Sequence, residues 1–187
     1  MSKMLVVVDY QNDFVNGTLA VPGAEQFDHR IAALVRSYQK NGDIIIVTMD
    51  THPKTYLETR EGRALPIEHC IRGSDGQQLY GETGKVLSSI PVDNMLLLTK
   101  GTFGVSLGDM CVFVGRHPDV TEIRFVGLVT NMCVIANVCC FQAMYPEAQM
   151  VVDATLCASV DKDLHEKALD VMEGMQVKVL RKEDEGE

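Results

Sequence analysis

Short, continuous apolar runs recur along the chain: Met4 to Val8, Asp43 to Thr48, Met95 to Leu98, Glu122 to Val126, Gln149 to Val152 and Gln176 to Leu180. Each is of strand length and lacks polar alternation, which predicts strands covered on both faces. Segments of helical period lie between them. The clearest runs from about Ala24 to Lys40, with Phe27, Ile31, Leu34, Val35 and Tyr38 on one face, and Asn41-Gly42 ends it. Met132 to Met144 and Asp161 to Met175 follow, the last carrying Leu164, Leu169, Met172 and Met175. Alternating strands and helices predict a three-layer α/β/α architecture around a doubly wound, mostly parallel sheet of about six strands. Two stretches, Asn12 to Gly23 and His52 to Gly84, break the alternation and read as functional loops. No repeat, low-complexity tract or linker divides the chain, so residues 1–187 are expected to form one domain, with Lys182 to Glu187 a solvated acidic tail.

Composition narrows the partners. The formal net charge of -9 opposes binding to phosphate backbones or anionic lipid, so neither nucleic acid nor membrane is expected. No apolar run approaches the roughly 20 residues that span a bilayer, and Met1-Ser2-Lys3 leads directly into a strand-like segment, which points to a cytoplasmic protein. The six cysteines show no C-x-x-C pair and no disulfide-scaffold spacing, so they read as thiols in a reducing compartment, mostly buried. Cys111, Cys139, Cys140 and Cys157 are expected to be core residues.

In open parallel sheets, ligands bind beyond the carboxyl ends of the strands. Asp9, Asp50 and Lys100 each leave a strand at that end, and Cys133 sits in the connection Gly127-Leu128-Val129-Thr130-Asn131-Met132 before a helix. If the sheet is parallel, all four meet on one rim. A helix N-terminus and a nearby lysine would lower the thiol pKa of Cys133 toward neutrality, and Asp9 would take the thiol proton and return it to a departing amine. Alone, each is unremarkable: a strand-end aspartate caps turns, and a single cysteine or lysine is ordinarily structural or solvated.

The ordered motifs Val8-Asp9-Tyr10-Gln11-Asn12-Asp13-Phe14, Asp50-Thr51-His52-Pro53, Leu65-Pro66-Ile67-Glu68-His69-Cys70-Ile71-Arg72-Gly73, Lys100-Gly101-Thr102-Phe103 and Gly127 to Val134 resemble the isochorismatase-like cysteine hydrolases, and within them the nicotinamidases. That resemblance implies a catalytic triad of Asp9, Lys100 and Cys133. It also implies a cis peptide between Leu128 and Val129, with the amides of Val129 and Cys133 facing an oxyanion. It implies a divalent metal held by Asp50, His52 and His69, with Glu61 as a further ligand. Carboxylate and imidazole suit zinc, with manganese or iron as alternatives. The implied activity is deamidation of nicotinamide or a similar small carboxamide through a thioester. Other amide or carbamoyl hydrolysis is the nearest alternative, and a non-catalytic binding or assembly protein is the alternative of a different class. A dinucleotide oxidoreductase is disfavoured, because Asp9-Tyr10-Gln11 stands where a G-x-G-x-x-G would follow the first strand. The chain has no tryptophan to pack on a substrate ring, so Phe14 and Phe103 are the candidate aromatic walls. Fold analogy adds an expected homo-oligomer.

Overall fold

A computed structural model describes residues 2–91 and 95–182. Apart from Lys182, the expected acidic tail lies outside the described residues. The elements in chain order are β1 (Ser2–Val8), α1 (Asn12–Val15), α2 (Asp28–Asn41), β2 (Ile44–Asp50), α3 (Arg60–Ala64), α4 (Gly81–Ser89), β3 (Met95–Lys100), α5 (Leu107–Arg116), β4 (Val120–Leu128), α6 (Ile135–Met144), β5 (Gln149–Ala158), α7 (Lys162–Gly174) and β6 (Lys178–Leu180). The six strands lie in the order β3-β2-β1-β4-β5-β6, and every neighbouring pair is parallel. The order reverses between β1 and β4, so the crevice at their carboxyl ends is the switch point where doubly wound sheets bind ligands.

Strand alternation sorts the core into two halves. Met4, Val6, Val8 and Ile46 pack with Met110, Val138, Phe141, Leu169 and Met172, placing α5, α6 and α7 on one face. Leu5, Val7, Ile45 and Val47 pack with Ile31, Val35, Val86 and Leu87, placing α2 and α4 on the other. Met4 through Val8 are wholly inaccessible. Each such side chain stabilises the fold by about 1.5–3 kcal/mol, which is why the central strand reads as an unbroken apolar run.

Local departures from the sequence reading have physical reasons. The segment expected to be one helix from Ala24 is a 3-10 turn, Ala24–Phe27, followed by α2, which ends at Gly42 in the left-handed conformation. β5 runs on to Ala158 past its expected end at Val152, because Cys157 and Ala158 pair with Gly127 and Leu128 of β4 beyond a register shift; within that irregular stretch the Asp153 carboxylate accepts from both the amide and the hydroxyl of Thr155. The thiols are less buried than expected: Cys111 and Cys139 are exposed and Cys140 is half-buried, whereas Cys70, Cys133 and Cys157 are buried. No helix among the described residues is long and apolar enough to cross a membrane.

Candidate active site

Register alone assembles most of the site. Asp50 and Lys100 are paired at the ends of β2 and β3, while Val8 lies between Thr48 on β2 and Gly127 on β4. Beyond Val8 the backbone turns sharply, with Asp9 at φ 45°, a conformation that aspartate tolerates better than most residues. On the other side, Gly127 has φ 115°, and a Cβ there would lie 2.0 Å from the Val8 carbonyl oxygen. Glycine is therefore required for β4 to run this close to β1. The Leu128–Val129 peptide is cis, as the resemblance implied. One wide, π-type turn, Thr130–Val134, then delivers Cys133 to the rim and leads into α6.

The three distant residues meet. The Lys100 Nζ is 2.6 Å from Asp9 Oδ2, and it donates to Cys133 Sγ at 3.5 Å. It also lies 3.8 Å from Asp50 Oδ1, so the triad and the Asp50 cluster share one ammonium. All of these groups are at most 6% exposed. Asp9 Oδ1 accepts from the Thr48 hydroxyl at 2.6 Å. Oδ2 has the ammonium as its ion-pair partner but no aligned hydrogen-bond donor among the described residues, which leaves it able to take a proton.

Burial sets the protonation states. Desolvation pushes Asp9 above the ordinary carboxylate value, opposed by Lys100 and the Thr48 hydroxyl and assisted by Asp50. Desolvation would lower Lys100, but the negative charges of Asp9, first, and Asp50 outweigh it and hold the ammonium protonated. For Cys133, burial and then the Asp9 carboxylate push the thiol well above its ordinary value, with Lys100 opposing. This opposes the expectation of a thiolate near neutral pH: burial and the neighbouring carboxylate favour the protonated sulfur. In this dry environment a preformed thiolate would lie beside a carboxylate, and one lysine does not compensate both.

Asp50, His52 and His69 offer ligand atoms within 4.8 Å of one another, all three buried. Asp50 Oδ2 is 2.9 Å from His52 Nε2 and 3.4 Å from His69 Nε2. Burial would raise Asp50, but hydrogen bonds from the two histidines and the charge of Lys100 hold it below its ordinary range. The other ring nitrogen of His69 is 2.8 Å from the Ile67 carbonyl, which fixes that nitrogen as a donor and leaves Nε2 as the one that faces Asp50 and would face an ion. Donor chemistry, spacing and burial thus fit a divalent ion. Glu61 Oε1 is 4.0 Å from His52 Nε2, at the edge of the set.

Several residues that hold this geometry were not singled out from sequence. The Gln11 amide accepts from the Asp50 amide at 2.7 Å and donates to the Asp50 and Gln77 carbonyls, clamping the first ligand strand to the loop after β1. Asp13 accepts from the Cys70 amide at 2.7 Å and so anchors the residue after His69. Tyr56, fully buried, puts its ring 4.6 Å from that of His52 and 5.0 Å from that of His69. Phe14 is buried and packs on His69, with ring centroids 5.7 Å apart, backing the metal loop rather than facing open space. Phe103 is 42% exposed and lines a cleft of about 330 Å³ with His52, Thr59, Arg60, Glu61 and Thr102. A larger cavity of about 440 Å³ lies where β2 and β3 begin, and neither Asp9, Lys100 and Cys133 nor the Asp50 cluster lines it. The smaller cleft adjoins the candidate site, because His52 and Glu61 line it together with Gly101, the residue after Lys100.

A family model described as Isochorismatase domain matches residues 3–184. The chain belongs to the isochorismatase family. Its fold superposes on that of the nicotinamidase/pyrazinamidase PncA from Bacillus subtilis with a TM-score of 0.84 at 27% identity, covering 97% of this chain and 100% of that one. A nicotinamidase from Saccharomyces cerevisiae is 22% identical over 220 residues, spanning 96% of this chain and 100% of the relative. A pyrazinamidase of Pyrococcus horikoshii, solved in complex with zinc, shares the fold at TM-score 0.79 and 22% identity, covering 97% and 99% of the two chains. The isochorismatase assignment agrees with the strand order, the cis peptide and the convergence of Asp9, Lys100 and Cys133.

Proposed function

We propose that this isochorismatase-family protein is a cysteine amidohydrolase of the nicotinamidase type, converting nicotinamide or a similar small carboxamide to its acid and ammonia. The observation that carries this reading is the contact of one buried ammonium with both Asp9 and Cys133 at the carboxyl ends of the central strands. Asp9 removes the Sγ proton as the sulfur attacks the carboxamide carbon, so no charge separation is needed before substrate arrives. The amides of Val129 and Cys133 receive the oxyanion. The C–N bond then breaks, Asp9 returns the proton to the departing nitrogen as ammonia, and a thioester remains. Water adds to it, giving up a proton to Asp9, and the acid departs as the sulfur is reprotonated. Lys100 keeps Asp9 ionised and compensates the negative charge that passes between carboxylate and sulfur.

Asp50, His52 and His69 are assigned to a divalent ion, zinc by their chemistry, with Glu61 as a further ligand on the cleft side. Such an ion would supply a Lewis-acidic anchor for a ring nitrogen or carbonyl oxygen of the substrate. Phe103 forms the aromatic wall, with Phe14 behind His69. The protein is assigned to the cytoplasm, and to a homo-oligomer in which the exposed apolar side chains Met132, Val160 and Leu164 would be covered.

A carboxamide panel tests the activity. Ammonia should be released from nicotinamide by the wild type and lost on chelation. Turnover confined to carbamoyl or ureido compounds would transfer the protein to the neighbouring activity of the family.

A further inference from the structure

Asn137 lies on α6 one turn beyond Cys133, and its side chain is fully buried. Its Nδ2 donates to the Cys133 carbonyl at 2.7 Å and to the Phe103 carbonyl at 3.2 Å, while Oδ1 accepts from the Val105 amide at 3.2 Å. One amide therefore joins the turn that carries the sulfur to the loop that carries the exposed ring of the cleft. The same loop is docked on α6 at a second point. A Cβ on Gly104 would lie 2.9 Å from Cys140 Sγ, and that sulfur is 3.6 Å from the Val105 carbonyl.

The two carbonyls and the amide that Asn137 serves are backbone groups that must be paired where water is absent. Without the side chain, the cheapest way to satisfy the Phe103 carbonyl and the Val105 amide is for the loop to swing toward solvent. That motion carries the Phe103 ring out of the cleft it lines and away from the turn that carries the sulfur, to which Asn137 otherwise ties it. We propose that Asn137 is a positioning residue that fixes the separation between the Cys133 sulfur and the Phe103 wall, and so selects ring-bearing over ringless carboxamides. The proposal rests on Cys133 being the nucleophile of the reading above.

The test is covalent and needs no turnover. Iodoacetamide and N-benzyl iodoacetamide react with Cys133 at rates read by peptide mass spectrometry, which separates this thiol from the exposed Cys111 and Cys139. Asn137→Leu is expected to lower the ratio of benzyl to ringless rates by about fivefold or more, the scale of one lost buried hydrogen bond. Phe103→Ala should lower the ratio similarly, and the double variant should fall no further than either single one. Equal slowing of both probes, or effects of the two substitutions that multiply, would overturn the proposal. If Asn137→Leu does not fold, Asn137→Ser takes its place. A serine hydroxyl reaches the carbonyl four residues back, here that of Cys133, and leaves the Phe103 loop untied, so the same fall in ratio is expected. A wild type that alkylates selectively but releases no ammonia would refute the amidohydrolase reading while leaving this one standing.

Discussion

Lys100 is the residue on which the two halves of the site depend. Its ammonium faces Asp9, Asp50 and Cys133 in a pocket almost closed to solvent. A lysine held above its ordinary value of 10.5 contributes stability that is fully present below that pH and is lost only as pH rises through the higher folded value. Lys100→Met removes that contribution at neutral pH and strands two buried carboxylates. It should cost about 3–5 kcal/mol in urea unfolding as well as abolishing turnover. An unchanged midpoint would show that the carboxylates find another partner. Thr48 gives a finer test. Its hydroxyl lowers Asp9, against the upward push of burial. The ionised form of Asp9 is the one that accepts the thiol proton, so activity should fall as pH drops through the raised Asp9 value. Thr48→Val should move that acid limb of kcat/KM to higher pH, and a limb that stayed or moved down would contradict the assigned role. Asp9, Asp50 and Lys100 were legible as reactive residue types at strand ends and Cys133 in the connection to a helix, whereas His52 and His69 came from the family resemblance. Thr48, Gln11 and Asn137 were not legible. A single polar residue gives no local sign of its partner, and those partners lie 39, 39 and 34 residues away at Asp9, Asp50 and Phe103.

At the scale of elements, the site is a consequence of how closely β4 can approach β1. Gly127→Ala places a methyl carbon within 2.0 Å of the Val8 carbonyl in a backbone conformation that alanine resists. We expect a loss of about 3 kcal/mol or more, measured by thermal unfolding, with the residual folded protein poorly active because Asp9 and Cys133 are displaced relative to each other. A stable, fully active variant would mean that the strands part without disturbing the rim. All six strands were legible from their apolar runs; burial on both faces explains this for β1 and β2, whereas Leu97 on the edge strand β3 is 47% exposed. Helices α4 and α5 were not. Gly81-Glu82-Thr83-Gly84 and Cys111-Val112-Phe113-Val114-Gly115 carry glycines and β-branched residues that disfavour isolated helix, and packing onto α2 and α6 overrides that preference. The Cys133 turn was read as the start of a regular helix, and its π-type winding has no sequence signature.

For the molecule as a whole, a metal that joins the loop after β2 to the segment around His69 should contribute to folding as well as to chemistry. At a hundredfold excess over its dissociation constant an ion stabilises a fold by about 2.7 kcal/mol. Chelation should therefore lower the melting temperature by several degrees, with zinc restoring it, and His69→Ala should remove the response. Melting indifferent to chelator in the wild type would argue against an ion bridging those loops. The central claim is that Asp9, Lys100 and Cys133, scattered along the chain, form one catalytic unit at the switch point of the sheet. The most direct measurement is kcat for ammonia release from nicotinamide by Cys133→Ala, Asp9→Asn and the variant carrying both. Groups that act as a unit predict a fall of roughly a thousandfold or more for each, with the combined variant no worse than the poorer single one. Substantial turnover by Cys133→Ala, or losses that multiply in the combined variant, would contradict it.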